Sequence, residues 1–161
     1  MTVEEIYRAR TPGSARLYAE ALKVLPGGVT HSNRYWPPYP LHVERASGCR
    51  LTDVDGNKYI DYWVANGTMF MGHADPKVAA AVTAVLQRGT HFGVSHDLIG
   101  RLAAKVVELV PSADLVRFTN SGSEAAAHSL RIARAYTGRS KIARFEGTFH
   151  GIVDGLYVGF R

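Results

Sequence analysis

Between residues 115 and 145 the chain reads as strand, tight turn, helix and strand, and that order admits few folds. Leu115-Val116-Arg117-Phe118-Thr119 has the apolar, partly β-branched character of a strand. Glu124 to Tyr136 is rich in alanine and closes at Gly138, which reads as a helix with a glycine stop. Lys141 to Phe145 reads as the next strand. Two parallel strands need a crossover connection, and this helix has the length for one. The turn between the first strand and the helix, Asn120-Ser121-Gly122-Ser123-Glu124, then falls at a strand's carboxyl end. Ligands collect there in sheets of this kind.

That turn has two readings. In the first it holds an anion. Gly122 lets the backbone bend sharply, and the helix start offers free N–H groups and the positive end of its dipole. Ser121 and Ser123 add hydroxyls, so a phosphate monoester is the natural guest. In the second, Ser121-Gly122-Ser123-Glu124 is a Ser-x-x-Glu capping box that needs no ligand. The three-glycine dinucleotide fingerprint is absent, and no Gly-Lys-Ser/Thr follows to make a P-loop. A second cluster, Glu146-Gly147-Thr148-Phe149-His150-Gly151, follows the Lys141–Phe145 segment, so both turns are expected to line one crevice. Phe149 suits stacking on a flat ring whose phosphate lies on the Ser121–Ser123 turn. Alternatively Phe149 is core and His150 a hydrogen-bonded turn residue.

The remaining chain frames this unit. Glu4 to Val24 reads as helical with a break near Thr11-Pro12-Gly13, and Pro26-Gly27-Gly28 stops it. Val29 to Pro40 carries Pro37, Pro38 and Pro40 and must be an irregular loop. Leu41–Glu44, Arg50–Val54 and Lys58–Ile60 read as short strands around an Asp55-Gly56 hairpin turn. Asp53-Val54-Asp55-Gly56-Asn57 has the outline of a calcium loop without its later acidic ligand, so the hairpin is preferred. Asp75-Pro76 opens a helix that Gly89 ends. Another carries Leu98, Leu102, Val106 and Leu109 and stops before Pro111. His91, His96 and Asp97 are wrongly spaced for metal ligands on one helix face and read as caps or surface. No nucleophile elbow supports a hydrolase.

Composition narrows the function classes. The 161 residues are 46% hydrophobic and 20% charged, which is globular and not disordered. Cys49, the single cysteine, excludes an internal disulfide and fits a reducing compartment. The net charge of +5 comes from arginines scattered singly, which favours a small anionic ligand over nucleic acid. No run of about eighteen apolar residues spans a membrane, and Met1-Thr2-Val3-Glu4-Glu5 is no signal peptide. A cytoplasmic location is therefore expected.

Taken together, Asn120-Ser121-Gly122-Ser123-Glu124-Ala125 and Phe145-Glu146-Gly147-Thr148-Phe149-His150-Gly151 resemble the class III pyridoxal-phosphate aminotransferases, most of all the glutamate-1-semialdehyde aminomutase branch. The likeness runs through Leu25-Pro26-Gly27-Gly28-Val29, Asp53-Val54-Asp55-Gly56-Asn57, Tyr59-Ile60-Asp61-Tyr62, Gly72-His73, Val116 to Asn120 and Ala135-Tyr136-Thr137-Gly138-Arg139. The resemblance implies an α/β chain, the N-terminal part of a fold type I transferase. Residues 1–70 would form an N-terminal segment with short antiparallel strands, and 71–161 the truncated beginning of the large cofactor-binding domain. It implies pyridoxal 5'-phosphate as cofactor, an amino-acid or amino-aldehyde substrate, and a homodimer when full length. Carried over by position, Ser121, Gly122 and Ser123 hold the phosphate. Phe149 takes the place of a ring-stacking tyrosine, and Arg34 faces the substrate carboxylate, which its forked guanidinium suits.

Two positions depart from the aminomutase pattern: His31 stands where that branch has serine, and Asn66 where it has tryptophan. The segment Arg34-Tyr35-Trp36-Pro37-Pro38-Tyr39-Pro40-Leu41 also resembles β-amino-acid aminotransferases of the same class. The resemblance places the Schiff-base lysine, and the carboxylate facing the pyridine nitrogen, beyond Arg161. None of Lys23, Lys58, Lys77, Lys105 and Lys141 sits in that lysine's context. No catalytic residue is therefore assigned, and the chain alone is expected to be an inactive piece. A noncatalytic phosphate-ligand module and an orphaned fragment are the competing readings.

Overall fold

A computed structural model describes residues 1–157, and the chain divides into two compact units, Met1–His91 and Phe92–Arg161. Val158, the end of the apolar run from Leu156, lies outside the described residues.

In the first unit Thr2 starts a helix over Val3–Arg10. Its hydroxyl accepts from the Glu5 N–H at 3.2 Å, and the Glu5 carboxylate accepts from the Thr2 N–H at 2.7 Å, a complete capping box. The expected break falls at Thr11, and Pro12 opens a second helix, Pro12–Ala21, in whose first turn a missing N–H costs nothing. Thr11 gives this helix no side-chain cap. Asp55 does so from the hairpin, accepting from the Gly13 N–H at 2.7 Å and the Ser14 N–H at 3.2 Å. A Cβ on Gly13 would meet that carboxylate at 2.7 Å.

The sheet is an antiparallel meander of β1 (Val43–Ser47), β2 (Arg50–Asp53) and β3 (Lys58–Ile60), in that order. Asp53 ends β2 fully buried. Its carboxylate accepts from the backbone of Asp55 at 3.0 Å and of Asn57 at 2.7 Å, from Asn57 Nδ2 at 2.8 Å and from the Tyr59 hydroxyl at 2.9 Å. Those are the contacts of a self-contained hairpin turn. Tyr39, 5% exposed, centres the core; it stacks at a tilt on Tyr7 with ring centroids 5.1 Å apart and meets the buried Thr11 hydroxyl at 3.2 Å. Ser14, also buried, accepts from the His42 N–H at 3.0 Å.

Beyond β3 the backbone makes a left-handed turn, with φ of 43°, 50°, 60° and 81° from Val64 to Gly67. Val64 and Ala65 there each cost about 1–2 kcal/mol, whereas Asn66 and Gly67 tolerate the conformation. Asp75 caps the helix Pro76–Leu86 by accepting from the N–H groups of Lys77 and Val78, both at 3.0 Å.

In the second unit His96 caps the helix Asp97–Leu109, its Nδ1 accepting from the Leu98 N–H at 3.2 Å. The helix Gly122–Thr137 ends at Gly138, which adopts φ 68° as a left-handed C-cap. The strands expected at Leu115–Thr119 and Lys141–Phe145 are a correction: among the described residues neither is assigned as a strand. Alternation and β-branching report which side chains suit a sheet, not whether a partner strand is present. Leu115 is 93% exposed and Phe145 83%.

Candidate functional site

The Ser121–Ser123 turn forms the capping box that its sequence allows. Ser121 Oγ accepts from the Glu124 N–H at 3.2 Å, and the Glu124 carboxylate accepts from the Asn120 N–H at 2.7 Å and the Ser121 N–H at 3.1 Å. This closure leaves out the amides of Gly122 and Ser123. They belong to the helix's first turn, where no intrahelical acceptor exists. Beside the turn opens a hollow of about 310 Å³ lined by Arg117, Thr119, Asn120, Glu124 and His128. The helix dipole and Arg117 favour an anion there, while the Glu124 carboxylate in the same lining opposes one.

The second turn comes to the same place. The Ile152 N–H donates to Ser123 Oγ at 3.1 Å. Gly151, buried at φ 83°, packs against Ser123 so closely that a Cβ would collide with Ser123 Oγ and lie 2.8 Å from its Cα. Only glycine fits that approach. Within the turn, Arg144 donates to the Thr148 carbonyl at 2.9 Å and the Thr148 hydroxyl to the Phe145 carbonyl at 2.6 Å. His150 Nε2 lies 3.0 Å from Thr148 Oγ1, a hydrogen-bonded turn residue. Phe149 is 65% exposed. The convergence of the two turns is thus present, carried by Ser123, Gly151 and Ile152.

Arg34 belongs to the first unit. It ends the short 3-10 turn Ser32–Arg34 and lines a cleft of about 810 Å³ with Trp36, His42, Asp61, Trp63 and His73. The sequence reading gave Asp61 and His73 no role, although both lie in segments that carry the family likeness. His73 Nε2 stands 2.7 Å from Asp61 Oδ2, the side chains 18% and 6% exposed. The His73 hydrogen bond, together with the backbone N–H groups of Val64 and Trp63, holds the Asp61 carboxyl below the usual carboxylate range. His31 Nδ1 is 3.3 Å from Thr30 Oγ1, and Asn66 sits inside the left-handed turn.

Comparison with known proteins identifies the family and the fold. The sequence signature "Aminotransferase class-III" matches residues 31–157. The glutamate-1-semialdehyde 2,1-aminomutase of Methanopyrus kandleri is 47% identical over 152 residues, covering 94% of this chain and 35% of that protein. An omega-transaminase from Sphaerobacter thermophilus superposes with a TM-score of 0.90 at 40% identity, covering 94% of this chain and 35% of its own. A beta-phenylalanine aminotransferase from Variovorax paradoxus gives a TM-score of 0.91 at 34% identity, covering 95% and 36%. The fold is that of the transaminases, and the chain spans about a third of the length of the relatives it matches. With a signature over most of its length and relatives near half identical, the chain belongs to the class III aminotransferases.

Proposed function

We propose that this chain supplies the phosphate-gripping and ring-covering part of a pyridoxal 5'-phosphate-dependent amino-group transferase of the glutamate-1-semialdehyde aminomutase type. The observation that carries the reading is the contact of the two turns at Ser123, where Gly151 leaves room only for a backbone. The residues suit the cofactor. Gly122 and Ser123 offer first-turn amides to a phosphate, Ser121 and Ser123 offer hydroxyls, and exposed Phe149 is placed on the adjoining turn to cover the ring.

The cofactor's chemistry, when bound, is to withdraw electron density from the substrate carbon that carries the amine. The chain's own residues do the holding. Phosphate on the Gly122 and Ser123 amides lies next to the Glu124 carboxylate, which holds the Asn120 and Ser121 N–H groups, so the two anions repel without sharing donors. Arg117 and the helix dipole offset part of that repulsion. Arg34 is assigned to the carboxylate of a small amino-acid or amino-aldehyde substrate, gripped through two oxygens at once. The lysine that moves the proton is assigned outside these 161 residues, so the isolated chain binds without turning over. We further assign residues 1–70 to an N-terminal segment and 71–161 to the start of the cofactor-binding domain, in a cytoplasmic homodimer.

A second reading within the class, a β-amino-acid aminotransferase, is favoured by the likeness of the segment Arg34 to Leu41, and His31 and Asn66 depart from the aminomutase pattern. It is favoured too by the higher TM-scores to the omega- and beta-phenylalanine aminotransferases than the 0.81 to an aminomutase from Pseudomonas aeruginosa.

The test uses pyridoxamine 5'-phosphate, which lacks the aldehyde and so does not label surface lysines. Wild-type chain is expected to bind it and to bind phosphate-free pyridoxamine far more weakly, read by the ligand's fluorescence. Ser123→Ala should weaken binding about tenfold, the scale of one hydrogen bond to a charged group. Equal affinity for the two ligands would sink the assignment.

A further inference from the structure

The function proposed above gives no work to Gly72-His73 or to Asp61, yet the structure joins them at the wall of the Arg34 cleft. Both hang from the Gly48-Cys49 turn between β1 and β2. Gly48 and His73 exchange N–H···O bonds of 2.8 Å in each direction, and the Asp61 N–H donates to the Cys49 carbonyl at 2.8 Å. Gly72, at φ 85°, lies so near Gly48 that a Cβ would stand 3.1 Å from the Gly48 Cα. With both backbones fixed in this way, His73 Nε2 meets Asp61 Oδ2 at 2.7 Å.

The other carboxylate oxygen faces the left-handed turn. Asp61 Oδ1 accepts from the N–H groups of Trp63 and Val64, both at 2.9 Å. Val64, Ala65 and Asn66 follow one another at φ 43°, 50° and 60°, a region that L residues avoid and a β-branched side chain avoids most. Such a turn persists only where its surroundings over-determine it. Trp63 and Ala65, one at the entry and one inside the turn, line the cleft with Arg34.

We infer that Asp61 and His73 form a positioning pair: the imidazole holds the carboxylate, the carboxylate pins the left-handed turn, and the turn sets how large a group the cleft admits beside Arg34. The inference rests on the cleft being the substrate's. Its test needs no ligand, so its failure and the failure of cofactor binding are separate results.

The whole 161-residue chain, isotopically labelled, reports positive φ at Ala65 and Asn66 through amide–Hα couplings and carbon shifts. With Trp36→Phe, acrylamide quenching reads Trp63 alone, because Trp36 and Trp63 are the only tryptophans. Asp61→Ala and His73→Ala are expected to lose the positive-φ signature and expose Trp63 to quencher. Asp61→Asn keeps an oxygen for the two amides and should retain the signature. Glycine adopts positive φ without steric cost, so in a Val64→Gly, Ala65→Gly background Asp61→Ala should leave Asn66 left-handed. If Asp61→Ala does not fold, His73→Phe removes the contact with Asp61 while keeping a ring, and reads the same signature. Retention of positive φ in His73→Phe, or a glycine background as sensitive to Asp61→Ala as the wild type, overturns the inference.

Discussion

The two units are built on opposite terms. In the first, side chains far apart in sequence satisfy one another: Asp55 caps the helix Pro12–Ala21, the Tyr7 hydroxyl donates to the Tyr39 carbonyl at 2.9 Å, and Asn57 Nδ2 donates to the Arg10 carbonyl at 2.8 Å. In the second, the helices are stopped and started by their immediate neighbours, Ser121 with Glu124, His96 with Leu98, and Gly138. Large side chains lie open in both units, Tyr62 at 89% and Phe70 at 83% in the first, Leu115 at 93% and Tyr136 at 91% in the second. Local capping is enough to define a helix. Burial requires partners, and a pair of sheet-like segments that face no ladder stays exposed however apolar it is.

The contrast implies that the first unit fails when a single buried polar group is removed. Asp53→Ala removes the buried acceptor of the half-buried Asn57 and Tyr59 donors and should cost about 2–3 kcal/mol, the scale of hydrogen bonds to a charged group. A fall in the urea midpoint of that unit's near-ultraviolet signal would record it, with helical signal from the second unit unmoved.

Acid and alkali should also act mainly on the first unit. Burial alone would raise the Asp53 carboxyl, but the hydrogen bonds from Asn57, Tyr59 and Asp55 outweigh it and hold it below its ordinary value. Asp61 is lowered as well. Both groups lose protons more easily folded than unfolded, so their contribution is full above the ordinary carboxylate pKa. It disappears as pH falls through the lowered folded value. Tyr59 runs the other way: burial and its hydrogen bond to Asp53 push it up to about 12. Its contribution is intact below the ordinary tyrosine value near 10 and is lost as pH rises towards 12. An Asp53→Asn chain whose acid and alkaline unfolding curves both match the wild type would refute this.

Asp55→Ala removes a cap supplied from another element and should cost about 1–2 kcal/mol, read from the same near-ultraviolet transition. Gly138→Ala probes the second unit's local logic. Forcing a Cβ into φ 68° should cost about 1 kcal/mol, read by thermal loss of helical circular dichroism. Equal sensitivity of the two units to Asp55→Ala would erase the distinction between them.

Most helix boundaries were legible because each carries its own chemical punctuation. Asp75 with Pro76 and Ser121 with Glu124 are start signals read within four residues, and Gly138 is a stop of the same kind; the Thr2–Glu5 box, of the same local type, appeared only in the structure. The hairpin at Asp55-Gly56 was legible for the same reason. The site was legible in outline, as a serine-glycine turn paired with a second turn one helix later. Its closure by Gly151 against Ser123 was not, because a glycine's close approach leaves no mark until the partner is in place. The left-handed turn at Val64–Gly67 was not read: Asn66 and Gly67 suit it, but Val64 and Ala65 argue against it. Asp61 accepts from the Trp63 and Val64 amides at its entry, and His73 meets Asp61 from twelve residues further on.

Residue order alone thus specified where chain direction changes, which segments are helical, and that a Ser-x-x-Glu box starts the Gly122–Thr137 helix. Those properties depend on neighbours within one turn, where a side chain and a backbone amide meet whatever the rest of the molecule does. Pairing is different. Whether Leu115–Thr119 joins a ladder, which carboxylate caps Pro12–Ala21, and what keeps Val64 left-handed depend on groups brought together from a distance. Their energies are gained only after the intervening chain has paid its closure entropy.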